Sequence, residues 1–228
     1  MALNIATFKT RALTALIFVI VMLGGILGGF WPFVALFTLI HFGAWYEFVK
    51  LIKKIYPQQF MPYLLGGLFY ITMPIVMLID IRATTELFMG DKAGLILVCI
   101  LIGSIWINDT MAYLVGSMIG KTPLSPISPK KTWEGTVGGA IIAIIVVALL
   151  SWYVLDMHNI WLAVGLPLFA AFFGTLGDLF ESKLKRMANV KDSGNFMPGH
   201  GGFLDRFDSL LVAIPFVWLL ITLIQQYS

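Results

Sequence analysis

Seven runs of about 20 mostly apolar residues occupy most of the chain, at about 11–29, 32–52, 62–80, 93–118, 134–155, 160–182 and 203–224. A run of that length forms a helix long enough to cross the hydrocarbon of a bilayer. In lipid every backbone polar group has to be satisfied internally, so only helices and closed barrels span it. Barrel strands alternate apolar and polar residues, and nothing in these runs alternates that way. A soluble fold is excluded by composition: 59% of the 228 residues are hydrophobic and 12% are charged, about half the charge of a soluble domain. The expectation is all-α, a polytopic transmembrane helical bundle of about seven spans in one domain, 1–228. Spans one to three fall in 1–92 and spans four to seven in 93–228.

Lys9 and Arg11 precede the first run as in a signal peptide, but the run is too long and no small-x-small cleavage site follows, so it reads as a retained span. Orientation comes from the loops. Lys9, Arg11, Lys50, Lys53, Lys54, Lys121, Lys130, Lys131, Lys183, Lys185, Arg186, Lys191 and Arg206 all fall on one side if the spans alternate. Only Arg82 and Lys92, of 15 Lys and Arg residues, are left for the other side. The positive-inside rule makes the basic side cytoplasmic, with the N-terminus inside and the chain in the cytoplasmic (inner) membrane. Its cations would also attract anionic membrane lipids. No basic surface is interleaved with aromatics, so the net charge of +3 does not indicate nucleic acid. The single cysteine, Cys99, can form neither an internal disulfide nor a cysteine-based metal site. Gly24, Gly25, Gly28 and Gly29 fit either close helix packing or a tight turn before Trp31 and Pro32.

Polar residues inside spans are costly and usually face a bundle interior or a wet cavity. Asn108, Asp109 and Thr110 interrupt the fourth span; Glu134 opens the fifth; Asp178, Glu181 and Ser182 end the sixth; Asp205 and Asp208 open the seventh. Spans one to three have almost none. At about 100° per residue, Asp178, Ser182 and Lys185 lie within about 60° of one another, a polar stripe leading into the basic loop. Asp205 and Asp208 share a face. Two carboxylate faces directed at one cavity suit a hard cation with oxygen ligands, magnesium above all, and the lack of a Cys or His cluster argues against zinc. Glu181 and Lys185, one turn apart, are equally readable as a surface ion pair.

The block from Ser182 to Asp208 mixes these acids with Lys183, Lys185, Arg186, Lys191, His200 and Arg206, and with Asp192, among glycines and prolines. His200, between Gly199 and Gly201, either binds phosphate or hydrogen-bonds its loop. A second polar segment, SPISPKKTWEG from Ser125 to Gly135, reads as extended and stiff because of Pro123, Pro126 and Pro129. Its Ser128, Lys130, Lys131 and Thr132 meet a helix N-terminus, where free N–H groups and the dipole favour an anion.

The string S-x-x-K-R-x4-K-D-x-G-x3-P-G-H-G-G-x-x-D-R-x-D from Ser182 to Asp208 resembles the signature of the phosphatidate cytidylyltransferases, or CDP-diacylglycerol synthases. WINDTMAYLVG at Trp106–Gly116, GKTPLSPISPKKTWEG at Gly120–Gly135 and the opening FKTRALTALIF agree with it. The resemblance implies a cytoplasmic-facing transfer from CTP to phosphatidic acid, a homodimer, and magnesium with a second cation left open. It implies Asp178 and Asp205 as the central metal carboxylates, with Asp208 and Asp192 supporting the metal or triphosphate. Lys185, Arg186, Lys191 and His200 would engage phosphates, and Asn108 with Asp109 would line the nucleotide side. An ether-lipid CDP-archaeol synthase shares much of the motif. A cation- or proton-coupled transporter using Asp109 and Asp178 would need polar residues through the whole membrane depth.

Overall fold

The computed structural model describes residues 5–89, 92–197 and 201–227, and side chains from Ala12 onward except at 85–91. Eight α-helices follow in order: α1 (Ile5–Leu27), α2 (Phe30–Ile55), α3 (Met61–Gly67), α4 (Met73–Met89), α5 (Ala93–Ile119), α6 (Trp133–Tyr153), α7 (Leu166–Met187) and α8 (Leu204–Tyr227). No sheet occurs among the described residues, only isolated bridges at Pro123–Thr132 and Met197–Gly201. Among the described residues six helical stretches are long and apolar enough to cross a membrane, and Ala12–Leu27 of α1 is a shorter apolar helix. The chain is a polytopic helical membrane protein.

Two helical joints widen into single π-turns, Leu68–Thr72 ahead of α4 and Trp161–Gly165 ahead of α7. Each ends two residues before a proline, Pro74 and Pro167. Proline has no N–H for the carbonyl one turn back and its ring crowds that carbonyl, so the helix opens there instead of breaking. The pair Met61–Thr84 and Trp161–Met187 thus each remain one span.

The chain divides into two compact units: Met1–Ile75 with Leu184–Phe207, and Val76–Lys183 with Asp208–Ser228. In the first, α1 and α2 form a hairpin. Gly29, at φ 108°, makes the turn, and a Cβ on Gly25 would strike the Leu36 side chain, so these glycines serve both turning and packing. Phe33, Phe37 and Phe207 form the aromatic core, with ring centroids 4.7 Å apart for Phe33–Phe37 and 6.5 Å for Phe37–Phe207. In the second unit, α6 buries Gly135, Gly139, Ala143, Val147 and Ser151, one residue every fourth position. Small side chains at that spacing let two backbones approach closely in lipid. A Cβ on Gly135 would lie 2.6 Å from the Ala112 carbonyl and 2.8 Å from Gly116 Cα, so α6 lies directly on α5. The face turned away from protein carries Val137, Ile141, Ile145 and Leu149, as expected of a lipid-facing helix.

Several expectations change. Arg82 is in α4, 5% exposed, not in a loop. The helix continues past position 80 because the Asp80 carboxylate is satisfied within the unit, accepting from Thr84 Oγ1 at 2.6 Å and Trp218 Nε1 at 2.7 Å. Spans two and three also bury more polarity than their hydropathy suggests: Glu47 is 4% exposed, and Thr72 Oγ1 is 3.0 Å from His41 Nε2 and accepts from Trp45 Nε1 at 2.9 Å. Asn108, Asp109 and Thr110 do not interrupt their helix; α5 runs through them unbroken, with Thr110 Oγ1 donating back to the Trp106 carbonyl at 2.7 Å.

Candidate active site

In the second unit, α7 and α8 bring three carboxylates together. Asp178, Glu181 and Asp208 each present an oxygen, and those oxygens lie within 4.8 Å of one another. The approach depends on two glycines. A Cβ on Gly177 would collide with the Asp208 carbonyl oxygen and lie 3.0 Å from Val212 Cβ, so no side chain fits there. One turn earlier, a Cβ on Gly174 would meet Ser209 Cβ at 3.5 Å and Ile105 Cγ1 at 3.9 Å, where α5 joins the other two helices. Phe173 and Phe216 stack at 3.5 Å between centroids and lock α7 to α8 on the apolar side.

Glu181 and Asp208 are buried, while Asp178 is partly open. Lys131 forms an ion pair with Asp178, Ser182 Oγ donates to Asp178 Oδ1 at 3.3 Å, and Ser209 N donates to Asp208 Oδ1 at 2.6 Å. Three carboxylates this close repel one another unless a cation offsets them. The donor set is all oxygen, hard and partly open, which fits a divalent cation such as magnesium. Asn108 follows Ile105 by one turn, and its Oδ1 is buried with no hydrogen-bond partner among the described residues. Its Nδ2 lies 3.5 Å from Asp109 Oδ1, a weak contact, and Asp109 is exposed.

The loop carrying Lys131 is folded, not extended. Pro126 and Pro129 each occupy the second position of a turn: Ser128 N donates to Ser125 O at 3.2 Å and Lys131 N to Ser128 O at 3.0 Å. Proline presets the backbone angle which that turn position needs, so a Ser-Pro repeat gives two successive turns. Leu124 N donates to Lys131 O at 2.8 Å and Trp133 N to Thr122 O at 2.9 Å, closing the loop at its base. Thr132 caps α6, its Oγ1 accepting from Gly135 N at 3.1 Å. Glu134 accepts from Lys121 N at 3.2 Å, from Thr122 N and from Thr122 Oγ1 at 2.9 Å. The start of α6 therefore uses its own side chains to hold the loop. Lys130 points outward and Ser128 is half-buried in its turn.

In the first unit, α7 ends in a left-handed residue, Asn189 at φ 52°, with Val190 N donating to Lys185 O at 2.9 Å and Asn189 N to Arg186 O at 3.1 Å. Arg186 Nη1 donates to the Val190 carbonyl at 3.1 Å. Beyond this turn Lys185 Nζ donates to Asp205 Oδ1 at 2.6 Å, with both side chains largely covered. Asp205 Oδ2 accepts from Ser193 N at 2.8 Å and Gly202 N at 2.8 Å. Asp205, expected among the metal carboxylates, is held in this unit by Lys185 and loop donors, and Glu181, absent from that expected set, stands with Asp178 and Asp208 in the second unit. Lys191, Asp192 and Arg206 are exposed. His200 lies outside the described residues.

Sequence reasoning passed over Glu47 and Ser193. Glu47 accepts from Phe203 N at 2.9 Å, Leu204 N at 3.0 Å and Ser193 Oγ at 2.7 Å. The available signal was a single acid inside the second apolar run.

The fold and the site define a polytopic helical membrane protein with a carboxylate cluster between two helices and a loop lysine paired with one of its acids. The chain belongs to the cytidylyltransferase family, whose model matches residues 81–224. It is 48% identical over 118 residues to the phosphatidate cytidylyltransferase of Staphylococcus aureus (strain COL), covering 51% of this chain and 45% of that protein. It is 47% identical over 135 residues to the phosphatidate cytidylyltransferase of Bacillus subtilis (strain 168), covering 58% and 50%. The chain spans about half the length of the curated relatives it matches.

Proposed function

We propose that this chain condenses CTP with phosphatidic acid, giving CDP-diacylglycerol and pyrophosphate. The observation that carries the reading is the Asp178–Glu181–Asp208 cluster, set between α7 and α8 in a chain of this family. A phosphate oxygen of phosphatidic acid attacks the α-phosphorus of CTP, the bond from that phosphorus to the bridging oxygen breaks, and pyrophosphate leaves. The nucleophile is already an anion, so no Ser or Cys nucleophile is required. The protein's task is to bring two anions together and offset charge on the transferring group.

Asp178, Glu181 and Asp208 would hold the divalent cation, which when bound neutralises phosphate charge. Lys131 would pass between Asp178 and the triphosphate, on a loop whose turns keep it in reach. Asn108 Oδ1 offers a buried acceptor to the nucleotide. In the first unit Asp205 holds Lys185, which with Arg186, Lys191 and Arg206 supplies cations of the kind that bind phosphate. The loop lysines put the N-terminus and the site on the cytoplasmic side of the inner membrane, where CTP is available, and the lipid enters from the bilayer. A homodimer and magnesium belong to the same reading.

The test is purified protein with labelled CTP, phosphatidic acid and Mg²⁺, with EDTA and Asp205→Asn as controls. Formation of a lipid-soluble cytidine product, lost in both controls, is expected. Near-wild-type turnover by a folded Asp205→Asn protein would overturn the role given to the Lys185–Asp205 pair, and no product from wild type would overturn the reaction.

A further inference from the structure

We infer that Glu47, on α2 and outside the residues that match the family, is a positioning residue for the Lys185–Asp205 pair. The inference rests on the reaction proposed above. Glu47 is 4% exposed and has both oxygens engaged: Oε1 accepts from Phe203 N at 2.9 Å, and Oε2 accepts from Leu204 N at 3.0 Å. Those N–H groups belong to the start of α8, where a carboxylate is favoured by the unpaired donors and the helix dipole. The Ser193 hydroxyl lies 2.7 Å from Glu47 Oε2 and 2.9 Å from Asp205 Oδ2, so one proton bridges two buried carboxylates. Asp205 in turn holds Lys185 Nζ at 2.6 Å. The chain of contacts runs from α2 through Ser193 to the ammonium group.

The surroundings leave space for nothing else. A Cβ on Gly202 would strike the Glu47 carboxylate, and one on Gly194 would lie 2.6 Å from Glu47 Cδ. The two glycines let the loop close around a charged side chain of α2. Gly43, one turn before Glu47, accepts the Phe203 ring, and a Cβ there would be 2.6 Å from that ring. Phe203 also stacks on Phe196 at 3.9 Å. Loop and helix start are therefore fitted to α2 by an apolar and an ionic contact side by side.

Glu47→Gln keeps the shape but replaces one acceptor with an NH₂ that faces an N–H donor. Loss of such a charge-assisted support is expected to lower kcat about 10- to 100-fold, the usual effect of removing an outer partner of a catalytic group. KM for CTP should stay near wild type, and Glu47→Asp should restore part of kcat. Ser193→Ala, which removes only the shared hydroxyl, should reproduce the loss in a milder form. Hydrogen exchange measured by mass spectrometry on the full-length variants should be faster in peptides containing Ser193 and Phe203–Leu204. Wild-type kcat in both Glu47→Gln and Ser193→Ala, or unchanged exchange in those peptides, would overturn the inference. If wild type itself makes no product, the reaction reading fails, and the exchange result alone upholds or overturns the positioning role.

Discussion

Gly177→Ala is the sharpest test of how the carboxylate cluster is assembled. The new Cβ would collide with the Asp208 carbonyl oxygen, 3.1 Å from that carbonyl carbon and 3.0 Å from Val212 Cβ. Two effects oppose each other. Replacing Gly by Ala inside a helix stabilises by about 0.5–1 kcal/mol. Overpacking a tight contact costs about 1–3 kcal/mol. The obstructing atom is backbone and cannot rotate away, so the steric term wins and α7 must move off α8 at the level of Asp178 and Asp208. A displacement of about 1 Å at a reacting centre costs about 100-fold in rate. Gly174→Ala is the internal control, because its Cβ would meet nothing closer than 3.5 Å. The assay is cytidylyl transfer at saturating Mg²⁺, with thermal unfolding followed by tryptophan fluorescence. Gly177→Ala should lose most activity and melt lower by a few degrees, whereas Gly174→Ala should keep activity and melt no lower than wild type. Equal behaviour of the two variants would refute the reasoning.

Two further outcomes are expected. Asp208→Asn and Glu181→Gln should each raise the Mg²⁺ concentration for half-maximal activity by at least about tenfold, the scale on which even outer partners of a bound metal act; unchanged Mg²⁺ titrations for both would count against the cluster as the cation site. Glu134→Gln turns one acceptor for the Lys121 and Thr122 donors into a donor. The 120–132 loop should loosen, read as faster tryptic cleavage after Lys130 and Lys131, and an unchanged cleavage rate would show that the tandem turns hold the loop without it.

Much of this architecture was legible because hydropathy acts locally: a run of apolar residues specifies a spanning helix whatever surrounds it. The π-turns were within reach of the same reasoning, since Pro74 and Pro167 each remove a donor from a known position. Proline stiffens the loop at Ser125–Lys131 without extending it. Its spacing, Ser-Pro twice at an interval of three, is what makes it turn. Arg82, two residues past the apolar run that ends at 80, lies within α4. The Thr84 and Trp218 contacts to Asp80, the latter across 138 positions of sequence, keep the helix going.

The sequence by itself determined the all-helical membrane class, the family and the set of acids from which any cation site has to be drawn. Tertiary structure decided which acids belong together. Asp205 and Asp208 are near neighbours in sequence, yet one is taken by Lys185 and the Ser193 loop and the other joins Asp178 and Glu181. Helical periodicity fixes only which residues share a face on their own helix. The choice between ion pair and carboxylate cluster depends on what the neighbouring helix presents, and on glycines such as Gly177 that let it approach. Glu47 makes the same point, since its partners lie about 150 residues away and no local pattern could name them.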